Sequence, residues 1–162
     1  MIALRKRRPD DFPVLAQMRA DRALQHMLLA YPEDQPDEVE VERWLTRREQ
    51  HGELRVLTDA RDVCVGFAQL HNIHMRGGHA MMAIALTPAM RGQGLGHKAM
   101  RLIHDLASAM ELRKLMLEVR ADNAPAIALY LSTGYRAVGT LVAHYDDGDM
   151  LHDVIVMERM LP

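Results

Sequence analysis

A mixed α/β domain is predicted by the order of elements along the chain, and three observations carry that expectation. Between Leu95 and Met110 the apolar residues Leu95, Ala99, Leu102, Ile103, Leu106, Ala107 and Met110 recur at helical spacing, with His97, Lys98, Arg101, His104 and Asp105 on the other side. Short apolar runs flank this helix, Ala80 to Leu86 before it and Leu115 to Val119 after it, and read as buried strands. The chain then ends in two more strand-like runs, Tyr135 to Ala143 and Asp153 to Met160, around the turn Asp146-Asp147-Gly148-Asp149.

The remaining elements follow from local signals. Ile2-Ala3-Leu4 is a short strand. Asp10 or Asp11 starts a helix in which Phe12, Leu15 and Met18 share a face, and Tyr31-Pro32 breaks the chain. A second helix runs from about Asp37 to His51, with Val41, Trp44 and Leu45 inward and Gly52 at its end. Leu54 to Leu57 and Val63 to Ala68 are strands around the polar turn Asp59 to Asp62, the second able to continue to His74. Gly77-Gly78 turns the chain into Ala80. Asn123-Ala124-Pro125 opens the last helix, with proline at a tolerated first-turn position, and Gly134 ends it. Residues 1–162 make a single domain, long enough to bury about two-thirds of its unfolded surface.

Composition narrows the function classes. A net charge of −2 makes no electrostatic case for a nucleic-acid partner. Cys64, the one cysteine, reads as a small buried hydrophobe and leaves no internal disulfide. The basic run Arg5-Lys6-Arg7-Arg8 is followed by Pro9-Asp10-Asp11, where a leader needs an apolar stretch, and no apolar run approaches the roughly 20 residues that span a bilayer. A cytoplasmic protein without a membrane partner is expected. Nine histidines show no zinc-like spacing, so no metal is expected.

The chemistry concentrates in Ile84-Ala85-Leu86-Thr87-Pro88-Ala89-Met90-Arg91-Gly92-Gln93-Gly94-Leu95-Gly96-His97. An apolar run ends, a proline interrupts it, three alternating glycines follow an arginine, and a helix begins. Such a loop can aim several backbone N–H groups at one anion, and Arg91 offers a fork suited to paired phosphate oxygens. A Walker-type reading fails, because the glycine spacing is one residue short and no Ser or Thr follows Lys98. The dinucleotide fingerprint also fails, since His97 stands where its third glycine belongs.

Arg91-x-x-Gly94-x-Gly96 resembles the acyl-CoA pyrophosphate loop of the GNAT N-acetyltransferase superfamily. The later segments Leu117-Glu118-Val119-Arg120-Ala121-Asp122-Asn123, Ala126-Ile127-Ala128-Leu129-Tyr130 and Gly134-Tyr135 resemble the second half of that family's signature, at a fitting distance. The likeness is strongest from about Ile73 to Met157. The N-terminal pattern is similar to the branch of ribosomal-protein and spermidine acetyltransferases. This resemblance implies a mixed, mostly antiparallel sheet of six to seven strands flanked by about four helices.

It also implies acetyl-CoA as cosubstrate, with its pyrophosphate on Arg91, Gly92, Gln93, Gly94, Leu95, Gly96 and His97. Pantetheine would lie between two splayed strands, Met82 to Leu86 (with Ile84 and Leu86) and Leu115 to Val119, and beside Asn123, Ala126 and Tyr130. The implied reaction is acetyl transfer to a primary amine by direct attack. Glu118 matches a glutamate used as base, its structural alternative being an ion pair with Arg120 or Arg113; Tyr130 matches the acid for the thiolate, its alternative being a core aromatic. Glu33, His74 and His144 are weaker candidates for the amine pocket. The acidic group Glu33, Asp34, Asp37, Glu38, Glu40 and Glu42 reads as a solvated helix start, or as a patch that steers a cationic amine. The acceptor class stays open among polyamine-like amines, amino sugars and protein N-termini. A homodimer is one open state, and a silent acyl-CoA sensor or protein-interaction module is the competing function.

Overall fold

Two antiparallel ribbons meet at a short parallel seam in the computed structural model, which describes residues 1–162. The strands are β1 (Ala3–Arg5), β2 (Gly52–Thr58), β3 (Cys64–His74), β4 (His79–Leu86), β5 (Lys114–Arg120), β6 (Arg136–Asp146) and β7 (Leu151–Met160). They form one seven-stranded sheet in the order β1-β2-β3-β4-β5-β7-β6. Every neighbouring pair is antiparallel except β4 and β5. The helices are α1 (Phe12–Ala20), α2 (Arg22–Met27), α3 (Glu38–Gln50), α4 (Leu95–Ala109) and α5 (Ala124–Ser132), with 3-10 turns at Pro9–Asp11 and Pro88–Met90. No helix is long and apolar enough to cross a membrane.

The pleat sends alternate residues to opposite faces, and each face has its own core. On one face Ala68, Leu70, Ala80, Met82, Leu115, Leu117, Val119 and Met157 pack with Met100, Ile103 and Ala107 of α4, Tyr130 of α5 and Tyr135. On the other face Leu54, Val56, Phe67 and Ala85 pack with Leu15, Met18, Leu24, Val41 and Leu45 of α1 to α3. The α4 crossover therefore covers one face and the N-terminal helices the other, as a β-α-β connection between parallel strands requires.

Local chemistry explains the boundaries. Asp37 caps α3 by accepting from the Glu40 N–H at 2.8 Å, and Glu40 returns the bond to the Asp37 N–H. His51 closes the same helix, so Gly52 opens β2 instead of ending α3. The basic N-terminal run serves internal pairing. Arg5 grips buried Asp11 at 2.7 and 2.9 Å, Arg7 bridges Glu42 and Glu49, and Arg8 pairs with Asp62. Arg5 accordingly holds the Asp11 carboxyl below the usual carboxylate range.

The expected mixed sheet with its flanking helices is present, and the fifth helix, α2, is a six-residue helix capped by Asp21, which accepts from Leu24 N–H at 3.0 Å, too short to show a period. His104, assigned to the polar side of α4, is buried. Its Nε2 lies 3.1 Å from the Tyr135 hydroxyl and its Nδ1 meets Arg159, so hydrogen bonding offsets its burial where periodicity alone put it in water.

Burial, reinforced by the Arg159 charge, pushes His104 down to about 4. The unfolded chain, with an ordinary imidazole near 6.5, then binds the extra proton first. Stability should be complete above about pH 6.5 and fall as pH drops from there toward 4, by about 3 kcal/mol at most. His104→Gln, which cannot titrate, should flatten that interval in denaturant titrations run at several pH values; an unchanged slope would remove His104 as the cause.

Candidate active site: a slot between diverging strands

The parallel seam between β4 and β5 contains only three residue pairs, His79 with Lys114, Ala80 with Leu115 and Met81 with Met116. Beyond it the strands follow different partners. β4 stays with β3 through Leu86, and Thr87 N–H still donates to Val65 O at 2.9 Å. β5 pairs with β7 at every residue from Lys114 to Arg120. A slot therefore opens between Met82–Leu86 and Leu117–Arg120, lined by main-chain groups that no strand satisfies.

The glycine loop stands at the open end. After the turn at Pro88–Met90, Gly92 and Gly94 have φ of +73° and +71°, and a Cβ built on either meets nothing within 4 Å. Gly94 is the N-cap of α4, so no side chain caps this helix, whereas Asp21, Asp37 and Asn123 cap α2, α3 and α5. None of the N–H groups of residues 92 to 97 bonds to a turn, a cap or a side chain. Together they form an exposed, positively polarised concavity. Arg91 folds back and donates from Nε to Leu86 O at 3.2 Å, which leaves its other nitrogens without a protein partner. Gln93 braces the loop through Ala89 O at 2.7 Å, and His97 bonds the Ser132 hydroxyl at 2.7 Å, tying α4 to α5. Leu95 and Gly96 are half-buried against that junction, where Leu129 would lie 3.0 Å from a Gly96 Cβ.

Asn123 heads α5 and accepts from Ala126 N–H at 3.4 Å, which leaves its amide NH₂ unused. Seven residues on, Tyr130 is buried in the α4–α5 core, its ring 5.9 Å from that of Tyr135. Burial pushes its phenol up to about 12. Glu118 lies on the opposite face of the sheet, because Leu117 and Val119 on either side point into the core. It is exposed and makes no ion pair: Arg120 is taken by Asp122 at 2.6 Å, and Arg113 by Gly77 O at 2.8 Å. The structural alternative for Glu118 is therefore absent.

The weaker candidates separate. His74 is exposed at the β3–β4 hairpin, stacked on His79 with 5.0 Å between centroids, at the sealed end of the seam and away from the slot. His144 is exposed. A bulge between Leu141 and Tyr145, with Ala143 at φ +49°, breaks the alternation there and turns its neighbour Tyr145 inward. Glu33 is exposed, 3.6 Å from Arg19. Most of the acidic group is committed locally: Asp34 pairs with Arg22, Glu42 with Arg7, and Asp37 with Glu40 forms the helix cap.

The sequence reading missed a second wall. Tyr145 bonds Ala30 O and, at 2.8 Å, His26 Nδ1, joining the β6–β7 hairpin to the end of α2. His152 braces it from below through Asp147 at 2.6 Å, and that contact holds the Asp147 carboxyl well below the usual range. Period-two alternation identified none of these residues, because the bulge reverses it.

A sequence model of the acetyltransferase (GNAT) domain family matches residues 2–136. The chain belongs to that family. The ribosomal protein bS18-alanine N-acetyltransferase of Escherichia coli K12 is 38% identical to this GNAT domain over 74 residues, 46% of this chain and 50% of the relative. A mycothiol acetyltransferase of Clavibacter michiganensis is 36% identical over 78 residues, 48% of this chain and 26% of the relative. The matches thus span about half or less of these curated relatives' length. Among solved structures, spermidine N-acetyltransferase from Vibrio cholerae in complex with CoA and spermine superposes with a TM-score of 0.88 at 21% identity, covering 99% of this chain and 95% of that one. A phosphinothricin acetyltransferase from Sinorhizobium meliloti in complex with AcCoA gives 0.82 at 20% identity, covering 99% and 88%. At that identity the two structures speak for the fold.

The loop geometry makes a direct prediction. A β-branched side chain at Gly94 should strain the left-handed backbone by about 1–2 kcal/mol and pull the N–H groups out of line. Gly94→Val should leave a folded domain whose calorimetric affinity for CoA is at least about tenfold weaker; wild-type affinity would disprove the anion assignment.

Proposed function

We propose that this GNAT domain transfers an acetyl group from acetyl-CoA to a primary amine. The carrying observation is the slot itself, with an uncapped helix and bare N–H groups at its mouth and Tyr130 and Glu118 on opposite faces of the sheet. The residues present fit the cofactor's chemistry. The N–H groups of 92 to 97 and Arg91 suit a pyrophosphate. The unpaired edges of Met82–Leu86 and Leu117–Arg120 suit the amides of pantetheine, much as an added strand would, and the free amide of Asn123 offers a further donor. Acetyl-CoA, when bound, supplies the activated thioester.

The protein's groups then divide the proton work. An alkylamine near pKa ~10.4 is neutral in only about one molecule in a few thousand at pH 7. Glu118, exposed and unpaired, accepts the amine's proton directly or through water on the acceptor face. Tyr130 stays protonated at neutral pH, because burial raises its phenol, and it donates to the departing sulfur from the cofactor face. Unpaired N–H groups of β4 on the slot side can polarise the thioester carbonyl. Glu118 and Tyr130 thus address opposite ends of the reaction, the amine on one face of the sheet and the sulfur on the other. The bS18-alanine and spermidine acetyltransferases among its likenesses support an amine acceptor, of the protein N-terminal or small-molecule kind.

Free-thiol release from acetyl-CoA over an amine panel tests the reading. Tyr130→Phe should lower kcat by about 10²-fold or more while CoA affinity stays within a few-fold. Glu118→Gln should depress kcat/KM at neutral pH and recover as pH approaches the amine's pKa, where the base is no longer needed. In wild type no alkaline loss from Tyr130 should occur below about pH 11, since its phenol titrates near 12. CoA binding without thiol release for any amine, with Tyr130→Phe indistinguishable from wild type, would instead mark an acyl-CoA sensor.

A further inference from the structure

On the α1–α3 face of the sheet, one half-buried cation has no counter-charge. Arg48, near the end of α3, lies across the rings of Trp44 (4.9 Å) and Phe67 (5.2 Å). Its Nη1 donates to Gln69 Oε1, while Gln69 Nε2 donates back to Arg48 O at 3.0 Å. Its Nε is buried without a hydrogen-bond partner, and no carboxylate forms an ion pair with it. Its neighbour Arg19, 5.6 Å from the centre of the same Trp44 ring, has partners in Gln25 at 2.9 Å, Tyr31 O at 3.1 Å and Glu33 at 3.6 Å. Burial and the Arg19 charge together push Arg48 down to about 10, and its own charge helps hold half-buried His71 below the ordinary imidazole range after burial. A half-buried guanidinium whose Nε is buried and unpartnered, beside a second cation and with no acid, is costly unless something else supplies the negative charge.

The register gives the ligand's direction. Gln69 is paired with Ala83 and Phe67 with Ala85. Those two alanines, on the same face as Glu118, are the last strand before the slot. On this face only half-buried Ala83 separates Gln69 from the slot, because Ala85 is closed into the core with Phe67. Resting on the acetyltransferase reading above, we infer that Arg48 marks an anion subsite for the acceptor: an amine whose nitrogen lies at Glu118 and whose carboxylate or phosphate reaches the Arg48 guanidinium past Ala83. Such a site favours amines bearing an oxyanion at the far end over polyamines, whose second cation would meet Arg48. The local commitment of the acidic group agrees with this: Asp34, Asp37, Glu40 and Glu42 are held in pairs and a cap, not gathered as a polycation site.

Trp44 is the only tryptophan, so it reports on the site without a label. Adipate and inorganic phosphate, titrated separately into the full chain, should one or both change its emission saturably. Arg48→Gln should abolish the change and Arg48→Lys keep part of it, with thermal melts confirming that both variants are folded. Which probe acts separates a carboxylate from a phosphate. In turnover, ε-aminocaproate should exceed n-hexylamine and hexanediamine in kcat/KM, or glucosamine phosphate exceed glucosamine, by about 10-fold to 100-fold. Arg48→Gln should erase that preference through KM, with kcat within a few-fold. Saturable emission changes without turnover of any amine would keep the anion subsite and defeat the enzyme reading alone. No saturable change with either anion, an equal change in Arg48→Gln, or preference for hexanediamine would overturn the subsite.

Discussion

The arrangement depends on a hydrogen-bonded seam that stops early. β4 and β5 are paired over three residues, and each is then held more extensively by an antiparallel partner, β3 on one side and β7 on the other. Two twisted ribbons fastened at one end diverge at the other. The cost is a set of unpaired main-chain groups in the middle of a sheet, a place where they are ordinarily satisfied. A slot of this kind persists because α4 and α5 brace one face of the sheet and α1 to α3 the other, so the ribbons cannot slide together.

That constraint orders the rest of the site. The chain leaves β4 at the slot's open end, so the loop to α4 must pass its mouth, and an uncapped helix start there faces whatever enters. The strand after α4 returns along the other lip and carries Glu118 outward and Leu117 and Val119 inward by pleat alone. The helix after it brings Tyr130 to the inner side. The opposite face is tied together by parts of the chain distant in sequence, through the Tyr145 bonds to Ala30 and His26 and the Arg48 contacts with β3.

Much of this was legible in the sequence where a local rule decides the outcome. The capping residues Asp37 and Asn123, the apolar stripe of α4 and the Asp-rich hairpin turn each act within a few residues, and the strands of the second half follow from short apolar runs between them. The glycine loop was legible for the same reason: a left-handed N-cap leaves a visible mark at Gly94. What escaped depends on contacts between distant residues. His104 reads as a surface residue until Tyr135 and Arg159 are placed beside it. α2 is too short for a period. Tyr145 was not singled out, since a bulge reverses the pleat there and exchanges inside for outside. Arg48 gave no signal, because what sets it apart is the acid it lacks. The N-terminal half is governed by such contacts, and this is why the second half was easier to read.

Backbone amide NMR during a CoA titration tests the slot most directly. The account predicts that shifts concentrate at Gly92 to His97, at Ala83 to Leu86 and at Leu117 to Arg120, while His79 to Met81 and their partners Lys114 to Met116 stay nearly unchanged, because the seam is already paired. Shifts centred on the seam, or on the α1–α3 face with the glycine loop silent, would contradict it.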